Sequence, residues 1–158
     1  MSEYYRRQET AKAKGHEAWN RLCSALRVEV TSRNHANPNQ LVIVNETGEF
    51  SVRRVEEARD VALQAKLRLD LTPPVVSYHY LMWCGNLAAS SPDCSLALWV
   101  DAQDDPCFKL ASGEVMIDQA ARWLISGIDY WSNQLRDKAM ADIVWNRCAP
   151  YYGLDPDV

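Results

Sequence analysis

Long apolar runs, paired cysteines and glycine-rich loops are all missing from this sequence. No window approaches 18 uninterrupted apolar residues, so no membrane-spanning helix is predicted. The five cysteines are odd in number and widely scattered, which predicts free thiols in the reducing cytoplasm rather than a disulfide framework. The amino-terminal stretch MSEYYRRQ is charged, so a secretion signal is not expected.

Residues that commonly carry catalysis are also scarce. The sequence has three histidines and six widely spaced glycines. It contains no G-x-S-x-G, P-loop, G-x-G-x-x-G or H-E-x-x-H motif. The missing motifs therefore exclude a phosphate-cradling loop. No cofactor is expected, and an enzymatic function is disfavoured.

The content of apolar residues, in contrast, is ample for a folded core. The 158 residues are 47% hydrophobic, which suits a single domain over 1–158. The patterns predict an α+β domain that is rich in helix, with a small antiparallel sheet and a long C-terminal helix.

The first half of the chain is predicted to hold two helices and a hairpin. Region 1–35 carries an amphipathic helix over 3–29 with a basic face, capped by Ser2. A polar loop follows over 31–40, and an apolar run with a turn predicts a hairpin over 41–52. A second helix is predicted from the shared face of these residues: Val55, Ala58, Ala62, Ala65 and Leu69.

The second half is less uniform. Segment 75–101 fits strand and helix equally well, because aromatic and β-branched residues stand beside helix-start signals. Region 112–149 is predicted as a long helical segment with one apolar face, formed by Leu124, Ile128, Trp131, Leu135, Ala139 and Ile143. Within it, Ser126–Gly127 marks either a kink or the close approach of another element.

The stretch VSYHYLMWCGNL (76–87) resembles an active-site wall but is interpreted as core. His79 and Cys84 are five positions apart, which separates their side chains on either a strand or a helix. A zinc site built from His79, Cys84, Cys94 and Cys107 would lack the usual close C-x₂-C pair. No metal site is therefore predicted.

Two charged clusters each have an ordinary and a functional interpretation. Asp101, Asp104 and Asp105 suit a solvated turn, with a cation site or general acid–base pair as the alternative. Arg7, Lys14 and Arg21 form one helical stripe that could lie along nucleic acid. That stripe equally suits a solvent-facing surface with i, i+4 ion pairs, so nucleic-acid binding is disfavoured.

The leading functional hypothesis is a non-enzymatic cytoplasmic interaction module, such as an adaptor, inhibitor or regulatory subunit. A protein partner, or alternatively a second copy of this chain, would bind through aromatic and acidic residues: Trp123, Tyr130, Trp145, Asp104 and Asp105. The second hypothesis is a small hydrolase or transferase that uses His79, Asp101 and Asp104, with Cys84 as its nucleophile.

Overall fold

The structure, a computed structural model, describes residues 2–37, 41–46, 48–56, 61–84 and 87–148. Within these ranges it contains three helices and eight strands. In chain order they are α1 (Glu3–Ala13), α2 (Gly15–Ala36), β1 (Leu41–Glu46), β2 (Glu49–Glu56), β3 (Val61–Leu71), β4 (Pro74–Cys84), β5 (Leu87–Ser90), β6 (Cys94–Val100), β7 (Pro106–Leu110), β8 (Gly113–Val115) and α3 (Ile117–Cys148). None of the helices in these ranges is long and apolar enough to cross a bilayer.

The strands form one antiparallel sheet that follows the order of the chain except at β5. The order is β1-β2-β3-β4-β6-β7-β8, and β5 lies beside the C-terminal part of β4. Strand accounts for 40% of the structure and helix for 45%. The prediction of a helix-rich domain with a small sheet is therefore wrong, whereas the long C-terminal helix is present.

The main error lies in the segment predicted as a second helix. Positions 61–71 form β3, which pairs with β4 along its whole length and with β2 over residues 61–68. Alternate side chains of β3 are buried at Leu63, Ala65 and Leu67. This period of two suits a strand with one face on the core, and pairing on both sides stabilises it over the helical alternative. Position 58 lies outside the described residues.

The N-terminal helical region is longer than predicted and has a break. Ser2 caps α1 by accepting a hydrogen bond from the Tyr5 amide at 3.3 Å. The helix breaks at Lys14, and α2 then continues to Ala36, so the predicted loop over 31–40 begins too early. The side chain of Asn34 explains this end, because it bonds both the N–H and the C=O of Leu41 at the start of β1.

The hairpin over 41–52 is present, and β2 extends beyond it. The predicted helical segment 112–149 starts later, because 113–115 form β8 and α3 begins at Ile117. The predicted face of α3 is buried at Leu124, Ile128 and Leu135. The side chains of positions 139 and 143, and the whole of 149–158, lie outside the described residues.

The core lies between one face of the sheet and helices α2 and α3. Its largest fully buried side chains include Phe50 and Phe108 from the sheet, Leu22 and Leu26 from α2, and Ile128 from α3. The described residues of segment 75–101 include strands β4, β5 and β6 and no helix, and β4 is central in the sheet. The sheet therefore presents the core-facing side chains of β4 directly to α3.

Candidate functional site

A cleft of about 470 Å³ opens where α3 crosses β4 and the junction between β5 and β6. We call it the aromatic cleft. Its lining is formed by Tyr78, Tyr80, Ser91, Cys94, Trp123, Ser126, Gly127, Tyr130 and Trp131. Five of these nine residues are aromatic and none carries a formal charge.

Strand β4 forms the floor of the aromatic cleft. Tyr78 and Tyr80 are two positions apart, so both side chains point to the α3 side of the sheet. They are only 9% and 3% exposed, and their rings meet edge to face at 6.2 Å. His79, between them, points to the opposite face.

A glycine in α3 lets the helix approach Tyr80 closely. The Tyr80 hydroxyl donates to the Leu124 carbonyl at 2.7 Å. A Cβ atom at position 127 would lie only 2.1 Å from that hydroxyl oxygen, so only glycine at this position leaves room for the Tyr80 side chain. Of the two interpretations of Ser126–Gly127, the close approach of another element is the one the structure shows.

Helix α3 forms the rim of the cleft with three aromatic residues. Trp123 meets Tyr78 edge to face at 5.6 Å, and Trp131 stacks on Tyr80 at 6.3 Å. Tyr130 contacts Trp131 at 5.2 Å. Although packed against these rings, Trp123 is 51% exposed and Tyr130 is 59% exposed. The rim therefore presents large apolar surface to solvent.

A β-bulge beside β4 opens the side of the cleft. Residues 91–93 oppose only positions 79 and 80 of β4, because Leu81 pairs with Ser90 whereas Tyr78 pairs with Cys94. Ser91 restores the broken ladder: its amide donates to the Tyr80 carbonyl and its Oγ accepts from the Tyr80 amide, both at 2.8 Å. The bulge brings an exposed thiol, Cys94, to the cleft.

The electrostatic environment of the cleft favours neutral groups. Burial raises the pKa of Tyr80 well above its ordinary value. Burial also raises the pKa of Tyr78, and the neighbouring Cys94 adds to that effect. Both phenols are therefore uncharged at neutral pH. Because none of the described residues that line the cleft carries a charged or basic side chain, the cleft is suited to binding an uncharged group.

The described side chains of the hydrolase hypothesis are not assembled in one place. His79 lies in a second cleft, which includes neither Asp101 nor Asp104, and its imidazole is 3.6 Å from Asp93. Cys84 is the last residue of β4, and its side chain lies outside the described part of the chain. Among the described residues no cluster of three metal-ligating side chains occurs.

The turn between β6 and β7 holds the acidic cluster and contacts α1, including Lys14 of the basic stripe. Asp101 accepts from the Gln103 and Asp105 amides at 2.8 and 3.0 Å, which closes the turn. Asp104 has a φ of +61°, a conformation that aspartate tolerates better than most residues. Its carboxylate binds Arg6 through both oxygens, at 3.2 and 3.1 Å.

The remaining contacts hold α1 beside this turn. Lys14 donates to the Asp104 carbonyl at 2.6 Å, and Arg7 donates to the Val100 carbonyl and to Glu114. The Arg6 guanidinium holds the pKa of Asp104 below its usual range. Two of the three cations predicted to contact nucleic acid thus bind the protein itself.

Arg21 and Asp105, which the predictions also named, do not line the aromatic cleft. Arg21 lies on the exposed side of α2, near the start of α3. Asp105 is exposed, and its side chain has no role in closing the turn. The side chain of Trp145 lies outside the described residues. Partner binding by Trp123 and Tyr130 stays a prediction.

Sequence reasoning missed Tyr78, Ser91 and Cys94 as members of one site, and it missed Arg6 as the partner of Asp104. The i, i+2 spacing of Tyr78 and Tyr80 was a usable signal for a shared strand face.

Comparison with known protein families, with curated proteins and with solved structures returns no match to this chain.

Proposed function

We propose that the protein is a non-enzymatic interaction module that binds a protein partner by taking an uncharged side chain of that partner into the aromatic cleft. The observation that carries this proposal is the half-exposed pair Trp123 and Tyr130 at the rim of an uncharged cleft of about 470 Å³. Tryptophan and tyrosine dominate the binding energy of protein interfaces because they bury large areas with little loss of rotamer freedom.

A protein anchor fits the shape of this cleft. Its floor is rigid, because Tyr80 is fixed by the Leu124 carbonyl and Ser91 ties the bulge to β4. Its rim is open, so a side chain that projects from a partner can enter without any movement of the sheet. A large apolar or aromatic residue would exclude water from Tyr78 and Trp123 on binding.

The acidic surface has a smaller role in this proposal than the sequence suggested. Asp104, predicted to contact a partner, is engaged by Arg6 and by the backbone of its own turn. Asp105 remains exposed, but it belongs to the turn beside α1 and does not line the cleft. Aromatic contacts therefore carry the proposed binding.

Selection of peptides from a displayed library against the immobilised protein tests this proposal. We expect the selected peptides to share one large apolar or aromatic residue. Trp123→Ala and Tyr130→Ala should each weaken their binding by about tenfold or more, the usual loss at an interface hot spot. Tyr5→Ala is the matched control, because Tyr5 is 60% exposed but lies on α1.

Two results would contradict the proposal. One is a set of peptides whose affinities are unchanged by both cleft variants. The other is binding that Tyr5→Ala weakens as much as Trp123→Ala does. Circular dichroism of each variant confirms that the fold is retained.

We also propose a cytoplasmic location. The support is that the three cysteines with described side chains, Cys23, Cys94 and Cys107, are free thiols. Fractionation of cells that express the tagged protein tests it, and recovery in a secreted or periplasmic fraction would contradict it.

A further inference from the structure

A second cleft, of about 440 Å³, lies on the sheet face opposite the aromatic cleft. We call it the polar cleft. It is lined mainly by charged and hydroxyl side chains: Glu49, Lys66, Arg68, Ser77, His79, Asp93 and Ser95, with Leu67 and Cys94 at its borders.

The strand register concentrates positively charged and hydrogen-bond-donating groups in the middle of the polar cleft. Lys66 of β3 stands directly opposite His79 of β4. Arg68, two positions along β3, stands opposite Ser77, which in turn stands opposite Ser95 of β6. Side chains directly opposite in an antiparallel pair are close neighbours on one face.

The acidic side chains are on the two flanks of the polar cleft. Glu49 comes from β2, opposite Arg68. Asp93 comes from the bulge, where its side chain is 93% exposed and 3.6 Å from the His79 imidazole. Neither acid therefore lies between Lys66 and His79.

Among the described residues of the polar cleft, Lys66 is the cation that has no partner. Arg68 pairs with Asp70 at 3.5 Å and His79 faces Asp93, but Lys66 makes no ion pair or hydrogen bond within the described part of the chain. Its side chain is only partly exposed. A cation in that position, beside a second potential cation, is stabilised when an anion binds between them.

We propose that the polar cleft binds a phosphate group, held by Lys66, His79 and Arg68 with the Ser95 hydroxyl as a further donor. The four side chains lie on one face of three neighbouring strands, where a tetrahedral oxyanion can accept hydrogen bonds from several of them. The proposal is independent of the aromatic cleft, which lies on the other face and whose described lining carries no charge, although Cys94 borders both clefts.

The test is a titration of the ¹⁵N-labelled protein with inorganic phosphate, followed by NMR at constant ionic strength with chloride as the balancing anion. We expect saturable shifts at the amides of Lys66 and His79 and at the His79 ring. Lys66→Met should weaken binding about tenfold, since one charge-assisted hydrogen bond is lost. Lys12→Met, an exposed lysine of α1, is the charge-matched control and should leave the affinity unchanged.

Shifts that rise linearly without saturation would mean an adventitious ion only and would overturn the proposal. Equal weakening by Lys66→Met and Lys12→Met would also overturn it, because net charge rather than the site would then govern binding. Ser95→Ala, an exposed position that removes only a hydroxyl, gives a second variant with little risk to folding. It should weaken phosphate binding by a smaller factor than Lys66→Met.

Discussion

Replacement of Gly127 by alanine should destabilise the protein, against the usual effect of this substitution in a helix. Alanine in place of a helical glycine normally stabilises by about 1 kcal/mol. Here the new Cβ would lie 2.1 Å from the Tyr80 hydroxyl oxygen and 2.6 Å from its ring carbon Cζ. Tyr80 is 3% exposed and its hydroxyl donates to the Leu124 carbonyl, so the ring cannot move aside without breaking that hydrogen bond. Overpacking of this kind costs about 1–3 kcal/mol.

The lost hydrogen bond from Tyr80 to the Leu124 carbonyl adds about 1 kcal/mol to that cost. With the gain in helix propensity set against these losses, the free energy of unfolding should fall by about 1–3 kcal/mol. Urea denaturation followed by circular dichroism measures this change. Asn133→Ala, at an exposed position of α3, is the control and should stabilise by about 0.5 kcal/mol.

A double variant separates the steric cause from a general effect on α3. In a Tyr80→Leu background, where the hydroxyl and ring are gone, Gly127→Ala should be neutral or stabilising. If Gly127→Ala stabilises the protein with Tyr80 present, then Tyr80 does not pack against this turn of α3, and the described floor of the aromatic cleft is incorrect.

Three further predictions concern titratable groups. The carboxylate of Asp104 should titrate below pH 3.8 by NMR, and Arg6→Gln should return its midpoint towards that value. The stabilising contribution of the Asp104 carboxylate is present above pH 3.8 and is lost as the pH falls through the depressed pKa. Burial raises the pKa of Tyr80 above 10.0, so the contribution of its hydroxyl to stability is complete below pH 10.0 and is lost as the pH rises further. The urea midpoint of unfolding should therefore fall less steeply at alkaline pH in Tyr80→Phe than in the unchanged protein. Burial raises the pKa of Cys107 to about 11, so peptide mapping should find Cys94 alkylated by iodoacetamide before Cys107 in the native protein, and both at equal rates in denaturant. An unshifted Asp104 midpoint, an unchanged alkaline slope or early labelling of Cys107 would contradict the corresponding prediction.

The helices at the two ends of the chain could be predicted because their signals are local. Ser2 caps α1 through an amide three residues away, and the apolar spacing around Leu124 recurs within one helix. The number and the length of the strands could not be predicted in the same way. Around Ala65 the sequence fits both the helical and the strand period, and pairing with β2 and β4 decides between them. That information lies in distant segments.

Only part of the aromatic cleft could be predicted from the sequence, because only its residues on α3 follow a local pattern. Trp123 and Tyr130 stand out because they lie off the main apolar face of α3. Tyr78 lies 45 positions before Trp123 and on another element, so no local pattern connects the two rings, which are 5.6 Å apart. Nor could the sequence alone pair Arg6 with Asp104, since the two residues are 98 positions apart along the chain.

The most direct test of the proposed binding site is an NMR measurement of intermolecular NOEs between the labelled protein and a selected peptide. Binding in the aromatic cleft predicts NOEs from the apolar anchor of the peptide to the rings of Tyr78, Trp123 and Tyr130. A complex of equal affinity whose anchor shows NOEs only to residues elsewhere, such as Val28 of α2 and the neighbouring Met116, would contradict the assignment of this cleft as the binding site.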